Sequence, residues 1–565
     1  MENQRGITVS SSIRTIVEEI MTNRLIKTVP FSQSQAGGRK GASTTDHVFI
    51  LKSLISLAIK KGTELFVTFY DIKKAYDRAD MNNMLHIVNE KGFTGKIWRL
   101  TKTINENLTA RVKTKAGMTR EIERVTGGLQ GGKIMVPLFS GSMDTLYDDL
   151  SKDRDIGITF DELTTPSLEY VDDAVTFAVG TQSQQKTLGA LNEFALNHKL
   201  EWGINKCKVM EIGSRKERKD AWKLGKETIE NCRSYRYLGE EISIDGKNAT
   251  NIVNRLNKVK NTVMAIMTCG RNAIMRNIET NVLLRLHQTV TLPTLLYNAE
   301  AWAINKSDRK EIDKIEIWAI KHMFGLPTTT PTPAVIFATE AMYASVRVDV
   351  KRLLYLQKLL QKEEEHWALM ALNVLDKNDT GWAKSIKATL RSWDLEEQWD
   401  VIAQKSKGEW KNEVEKAAER INKEMLKNDC LTKERGHSKP KTKSKTILQE
   451  LEKIEYRRKP LEVMNQGSII TARALIMGRY GMLKCKANFS GGNGQKFCSV
   501  CEEIDNESHR INHCEVYKST NLYESETKID FSMIYSDNMN EALKITDAIL
   551  KLWDLGSGRN EMKST

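Results

Sequence analysis

Residues 168–175 read Leu-Glu-Tyr-Val-Asp-Asp-Ala-Val, and far upstream residues 69–77 read Phe-Tyr-Asp-Ile-Lys-Lys-Ala-Tyr-Asp. Each segment ends an apolar, strand-like run in carboxylate. Asp71 follows Leu65–Tyr70, and Asp172 and Asp173 follow Leu168–Val171. Adjacent carboxylates repel, and their burial is costly unless a cation neutralises them. A tight apolar-Tyr-x-Asp-Asp-apolar segment therefore predicts a hairpin tip that offers carboxylates to a divalent metal. With a third carboxylate from another strand, such a site holds two Mg²⁺ ions that clamp the attacking and leaving oxygens of phosphoryl transfer. Read alone, an Asp-Asp pair belongs to a solvated turn. Order and context change that reading, because a Gly-rich segment, 127–133, lies between the two acidic stretches.

Composition agrees with a polyanionic partner. Lys and Arg number 86 against 73 Asp and Glu, for a net charge of +13, which favours a polyanion without saying which one. No run of eighteen apolar residues is present, so no membrane span is expected. The start, Met-Glu-Asn-Gln-Arg-Gly, lacks the apolar core of a signal peptide. Eight cysteines in 565 residues are too few for a disulfide scaffold. Four are scattered, at 207, 232, 269 and 430, and four lie near the C-terminus. That distribution reads as a reducing compartment with one metal site.

The chain alternates helical and strand-like patterns up to about residue 245. Ile13, Ile16, Val17, Ile20 and Met21 have helical spacing, a second helix spans 44–61, and Leu65–Tyr70 suits a buried strand. Met81, Met84, Leu85 and Val88 mark one helix face. Short strands follow over 104–126. Leu138, Phe139, Met143, Leu146, Tyr147 and Leu150 then predict a single helix. Another helix covers 183–200, with strand-like pieces at 207–213 and 235–244. From about 250 the pattern is helical, with Trp393, Trp399 and Trp410 as core candidates. Residues 431–460 carry ten Lys or Arg against four Glu and read as a basic linker.

The order of these motifs resembles the palm of a nucleic-acid polymerase, specifically the reverse transcriptase of non-LTR (LINE-type) retrotransposons. The resemblance implies an α+β right hand of fingers, palm and thumb, followed by a helical connector and a zinc-knuckle tail. It divides the chain into fingers and palm over 1–245, thumb over 246–330, connector over 331–430, linker over 431–460, a zinc-knuckle region over 461–520 and a tail over 521–565. The implied activity is RNA-directed DNA synthesis with Mg²⁺ or Mn²⁺. The implied partners are an RNA template, a DNA primer or target, and dNTPs. No segment here supplies an endonuclease, so that activity would be separate or missing. The resemblance places such a protein in the nucleus and cytoplasm.

Site roles follow position by position. Asp71 and Asp172 are the expected metal ligands, and Asp173 supports the metal or its water. Tyr76, five residues after Asp71, falls where the family packs an aromatic under the incoming sugar and so excludes a 2′-hydroxyl. Asp77 reads as a surface or capping residue. Gln35-Ala-Gly-Gly-Arg-Lys-Gly41 resembles the family's Gln-Ala-Gly-Phe-Arg-x-Gly, with Gly38 replacing the aromatic. Arg39 and Lys40 would grip the triphosphate and template.

In the Gly-rich loop the family has Gly-x-Arg-Gln-Gly-x-x-x-Ser-Pro. Anchored on Pro137, its Gln falls on Gly131, its Gly on Gly132 and its Ser on Val136. A one-residue shift instead keeps Gln130-Gly131 as the pair. Lys206-Cys207-Lys208 resembles the segment whose lysine protonates the leaving pyrophosphate. Tyr237-Leu238-Gly239 resembles the hairpin that holds the primer end. Arg255, Lys258, Lys260, Arg271 and Arg276 would form a phosphate-tracking face, since no acidic residue occurs from 251 to 278.

Cys498-x₂-Cys501-x₇-His509-x₄-Cys514 offers three thiolates and an imidazole, a closed tetrahedral zinc shell with a structural role. LINE proteins often end their polymerase with such a cluster. Two alternatives stay open. One is a degenerate, non-catalytic nucleic-acid-binding remnant of a retroelement, which the departures at Gly131 and Val136 favour. The other is a telomerase-like or maturase-like polymerase.

Overall fold

The computed structural model describes residues 8–39, 41–106, 108–115, 117–123, 127–129, 131–213, 221–269 and 279–434. Beyond these it describes positions 476, 477, 501, 503, 504, 509, 510, 545, 546 and 549. A six-stranded sheet lies at the centre, in the order Trp222–Leu224, Glu227–Asn231, Lys208–Ile212, Leu65–Tyr70, Asp173–Val179, Ser167–Tyr170. The Leu65–Tyr70 strand is buried along its whole length. It pairs antiparallel with Asp173–Val179 on one side and Lys208–Ile212 on the other.

Its side chains alternate between two cores, as the period of a strand requires. Leu65, Val67 and Phe69 pack with Val48, Leu51 and Leu54 of the helix Thr44–Lys61. Phe66 and Tyr70 pack with Phe139, Leu188 and Phe194. The helix Thr44–Lys61 starts where Ser43 accepts from the Asp46 amide and stops at Gly62, which takes a left-handed conformation.

The later helices join the first of these cores. Its buried members run from Val48 to Cys430 and include Ile476, Met477, Ile545 and Ile549. Phe49 meets Tyr355 and Trp382 edge-on, with centroids 5.6 and 5.3 Å apart. Trp393 and Trp410 are buried, while Trp399 is half-buried. No described helix is long and apolar enough to cross a membrane.

Three expectations change. The helix Ser12–Thr28 buries Met21 and Leu25, but Ile13, Ile16 and Ile20 face outward. Its inward position at residue 18 is instead Glu18, which accepts from the Lys133 amide at 2.9 Å and pairs with Arg14 at 2.7 Å. The helix expected from Leu138 to Leu150 is two, Met135–Met143 and Thr145–Leu150. The junction residue, Asp144, is buried with its carboxylate on the Ser32 amide and Lys91. Arg255 does not face outward to track phosphate. It is 4% exposed and donates to the Gly239 carbonyl at 2.9 Å. Arg271 and Arg276 lie outside the described residues.

Candidate active site

The sheet register assembles the acidic residues. Tyr70 pairs with Ala174, so the next residue, Asp71, comes level with Asp173 at the end of the paired strands. Tyr170 pairs with Asp173, leaving Val171 and Asp172 as a two-residue turn. Asp71 receives Lys206 on both carboxylate oxygens, at 3.1 and 2.9 Å. Lys206 ends the short turn Ile204–Lys206. The Gly203 amide donates to the Asp71 carbonyl at 2.7 Å and fixes that turn against the strand end. Among the described residues no group of three or more His, Cys, Asp or Glu is gathered closely enough to ligate one ion.

A second hairpin stands beside this end of the sheet. Ser234–Tyr237 and Glu240–Ser243 pair antiparallel, with Leu238 and Gly239 as the turn. Both turn residues have positive φ, 45° and 78°, the hand that matches strand twist in a two-residue hairpin. Tyr237 is buried against Phe69, with centroids 5.9 Å apart. The turn therefore offers backbone, not the tyrosine ring, to anything that docks there. The Leu238 carbonyl already accepts from the Tyr297 hydroxyl at 3.2 Å.

Tyr235 was not singled out in the sequence, yet it ties this second hairpin to the central strand and to the Ile204–Lys206 turn. Its ring stacks on Phe69 at 4.2 Å and its hydroxyl donates to the Lys206 carbonyl at 2.9 Å. Burial, with the charges of Cys207, Asp71 and Asp173, raises its pKa above the usual phenol value. The signal for it was the two-residue spacing to Tyr237, which puts both rings on one strand face.

Tyr76 is half-buried in the short helix Ala75–Arg78 and tilts against Phe139 at 5.5 Å. Its carbonyl accepts from the Gly128 amide at 2.8 Å, which brings the Gly-rich loop over this helix. Asp77 is exposed. Gly132 is buried, and a Cβ there would stand 3.2 Å from Glu18.

Arg39 turns back on its own loop, donating to the Ser32 and Gln35 carbonyls at 2.5 and 3.2 Å. Burial lowers its pKa. It lines a cleft of about 380 Å³ with Asp46, His47, Lys362 and His366. Lys40 and Gln130 lie outside the described residues.

Of the cysteine-histidine cluster, Cys501 and His509 are described, while Cys498 and Cys514 lie outside. His509 is buried and its Nδ1 lies 2.8 Å from Glu503 Oε2.

Residues 1–242 match the family model for reverse transcriptase (RNA-dependent DNA polymerase). The chain is 21% identical over 354 residues to a retrovirus-related Pol polyprotein from type-1 retrotransposable element R2 of Popillia japonica. That match covers 61% of this chain and 47% of the relative. It is also 21% identical over 348 residues to the RNA-directed DNA polymerase from mobile element jockey of Drosophila melanogaster, covering 58% of this chain and 36% of the relative. The chain thus spans less than half the length of these relatives. A solved telomerase from Candida albicans, in complex with a TWJ fragment of telomeric RNA, is 12% identical and covers 69% of this chain and 56% of its own, with a TM-score of 0.34. Residues 1–242 are therefore a reverse transcriptase domain, and the chain is a relative of the LINE-type, non-LTR retrotransposon polymerases.

Proposed function

We propose that this chain is an RNA-directed DNA polymerase of a LINE-type retroelement. The primer 3′-hydroxyl attacks the α-phosphate of a dNTP paired to an RNA template; the new O–P bond forms as the bond to pyrophosphate breaks. The observation that carries this reading is the register that sets Asp71 level with Asp173, one residue from the Val171-Asp172 turn. Carboxylate oxygens suit a hard divalent cation, and Lys206 supplies the positive charge beside Asp71. Asp71 and Asp172 would hold Mg²⁺ or Mn²⁺, with Asp173 in support. When bound, the metal stabilises charge on the phosphoryl oxygens.

The chain's own groups do the rest. Lys206 stands within the site as a proton donor for pyrophosphate. Tyr76, braced by Phe139, forms the floor under the sugar. The Leu238-Gly239 backbone holds the primer end. Arg39 and Lys40 belong to the loop that meets the triphosphate and template. The fingers, palm and thumb take residues 1–330 in this reading, and the partners are an RNA template, a DNA primer or target, and dNTPs. Cys498, Cys501, His509 and Cys514 would bind a structural Zn²⁺.

Extension of an oligo(dT) primer on poly-rA tests the reading. The wild type should extend with Mg²⁺ or Mn²⁺, and Asp71→Asn or Asp172→Asn should abolish extension. Equal extension by all three proteins means a contaminating polymerase. A second reading, a non-catalytic nucleic-acid-binding remnant, is favoured by one observation: the acidic trio is not gathered on a common point among the described residues. That reading requires template binding without extension in either metal.

A further inference from the structure

Gln35 is 0% exposed and lies beyond the outermost strand of the sheet. Its backbone runs beside Ser167–Tyr170. The Ala36 amide donates to the Glu169 carbonyl at 2.9 Å, and the Glu169 amide donates to the Ser34 carbonyl at 2.8 Å. The Gln35 side chain then reaches the Asp-Asp turn. Its Oε1 accepts from the Val171 amide at 3.0 Å and from the Gly37 amide at 2.8 Å. Both partners are N–H donors, so the network itself decides which end of this side-chain amide is oxygen. Nε2 is buried with no hydrogen-bond partner among the described residues. A buried orphan donor is costly and calls for a reason.

Val171 supplies one. Its φ is +62°, a conformation that a β-branched residue adopts only when its surroundings enforce it. Gly37 closes on the same residue: a Cβ there would lie 2.4 Å from both Val171 N and Val171 Cγ2. Two contacts from one loop thus converge on the residue just before Asp172.

We propose that Gln35 is a positioning residue for the Asp-Asp turn: its side-chain carbonyl, shared between the Gly37 and Val171 amides, holds Val171 left-handed and thereby fixes where Asp172 presents its carboxylate. The proposal rests on the polymerase reading for its metal role. Gln35→Met keeps the length of the side chain and removes the acceptor, whereas Gln35→Glu restores an acceptor. Mn²⁺ binding to the full chain without nucleotide, followed by electron paramagnetic resonance, should weaken about tenfold in Gln35→Met, the scale of one buried hydrogen bond. It should recover in Gln35→Glu. The Mg²⁺ concentration for half-maximal primer extension should rise by the same factor while the KM for dNTP holds.

Unchanged Mn²⁺ affinity in folded Gln35→Met overturns the proposal, as does a loss that Gln35→Glu fails to restore. Should Gln35→Met not fold, hydrogen exchange on the wild-type chain decides. The Val171 amide must be protected, and exchange at the rate of an open turn overturns the assignment. A wild type that binds Mn²⁺ but extends no primer sinks the polymerase reading and leaves the Mn²⁺ comparison standing; one that binds no Mn²⁺ overturns both.

Discussion

Arg255 lies buried against Glu240, its Nη2 3.1 Å from the carboxylate Oε2. Glu240 is 0% exposed and also accepts from Lys52 at 2.6 Å, Asn251 at 2.9 Å and the Trp302 indole at 2.7 Å. One carboxylate thus ties the Leu238-Gly239 hairpin to the helix Thr44–Lys61, to the helix Ala249–Cys269 and to Trp302. Removing one partner of such a pair leaves the other charge buried. Glu240→Ala should therefore destabilise the fold by about 3 kcal/mol, measured by urea unfolding. It should also disorder the hairpin that we assign to the primer end, raising the KM for primer more than that for dNTP. A loss below about 1 kcal/mol, the scale of a surface pair, would contradict this.

Tyr76 is braced by Phe139 from one side and by the Gly128 amide on its carbonyl. Such a ring can act as a rigid steric stop. Tyr76→Ala should raise incorporation of rNTPs relative to dNTPs, with the main loss in discrimination and not in dNTP turnover. Unchanged selectivity in an active, folded variant removes Tyr76 from the role of sugar gate. Phe139→Leu offers a weaker version of the same test, because it loosens the brace and leaves the ring in place.

Much of the site was legible because it is local. Asp71 and Asp172 each end an apolar run, and the strand that follows the turn, Asp173–Val179, pairs with both runs and sets Asp71 level with Asp173. The helix Thr44–Lys61 was legible for the same reason: its caps and its period are written in consecutive residues. What the sequence hid depends on long-range contacts. Ile13, Ile16 and Ile20 match a helical period, yet Glu18 occupies the inward side because the Lys133 amide needs an acceptor there. Arg255 sits in a basic run, but Glu240, fifteen residues earlier, claims it. Gln35 was quoted within a motif and given no role, since its partner, Val171, is 136 positions away. The two alignments of the Gly-rich loop also separate physically. Gly131 has φ +111°, and a Cβ there would stand 2.8 Å from the Thr8 carbonyl. A glutamine at 131 would be strained, so the backbone favours the register that keeps Gln130-Gly131 as the pair.

Glu169 precedes Tyr170 and is 0% exposed, with Oε1 accepting from the Ser34 and Ser167 hydroxyls at 3.2 and 3.0 Å. Burial, helped by the charge of Asp144, pushes its carboxyl from 4.5 up to about 8. The folded chain therefore keeps a proton that the unfolded chain releases above 4.5. The stability contributed by this group is complete below that value and is lost as pH rises through about 8. Glu169→Gln keeps the shape and removes the titration. Its thermal midpoint should decline less than that of the wild type across this window. Asp313, pushed up to about 7, titrates in both proteins and cancels in the difference. Parallel curves for the two proteins would show that Glu169 does not carry the pH dependence.

His509 pairs through Nδ1 with Glu503, the arrangement in which a carboxylate orients an imidazole and leaves Nε2 as the metal-binding nitrogen. The proposed zinc shell of Cys498, Cys501, His509 and Cys514 would use that nitrogen. A closed four-ligand shell has a structural role, so its removal should spare the chemistry. Zinc content should be about one per chain in the wild type and near zero in a Cys498→Ser, Cys501→Ser double variant, as a four-ligand site requires. Binding to long RNA should weaken, while extension of a short, saturating primer-template duplex survives, because Asp71 and Asp172 stand on a different part of the chain. Glu503→Gln should weaken zinc binding by roughly tenfold to a hundredfold without changing its stoichiometry, the usual effect of losing an outer carboxylate. Full zinc occupancy in the double variant rejects the ligand set. Zinc loss with unchanged binding to long RNA leaves the cluster as a cap for the tail and removes its role in holding the template.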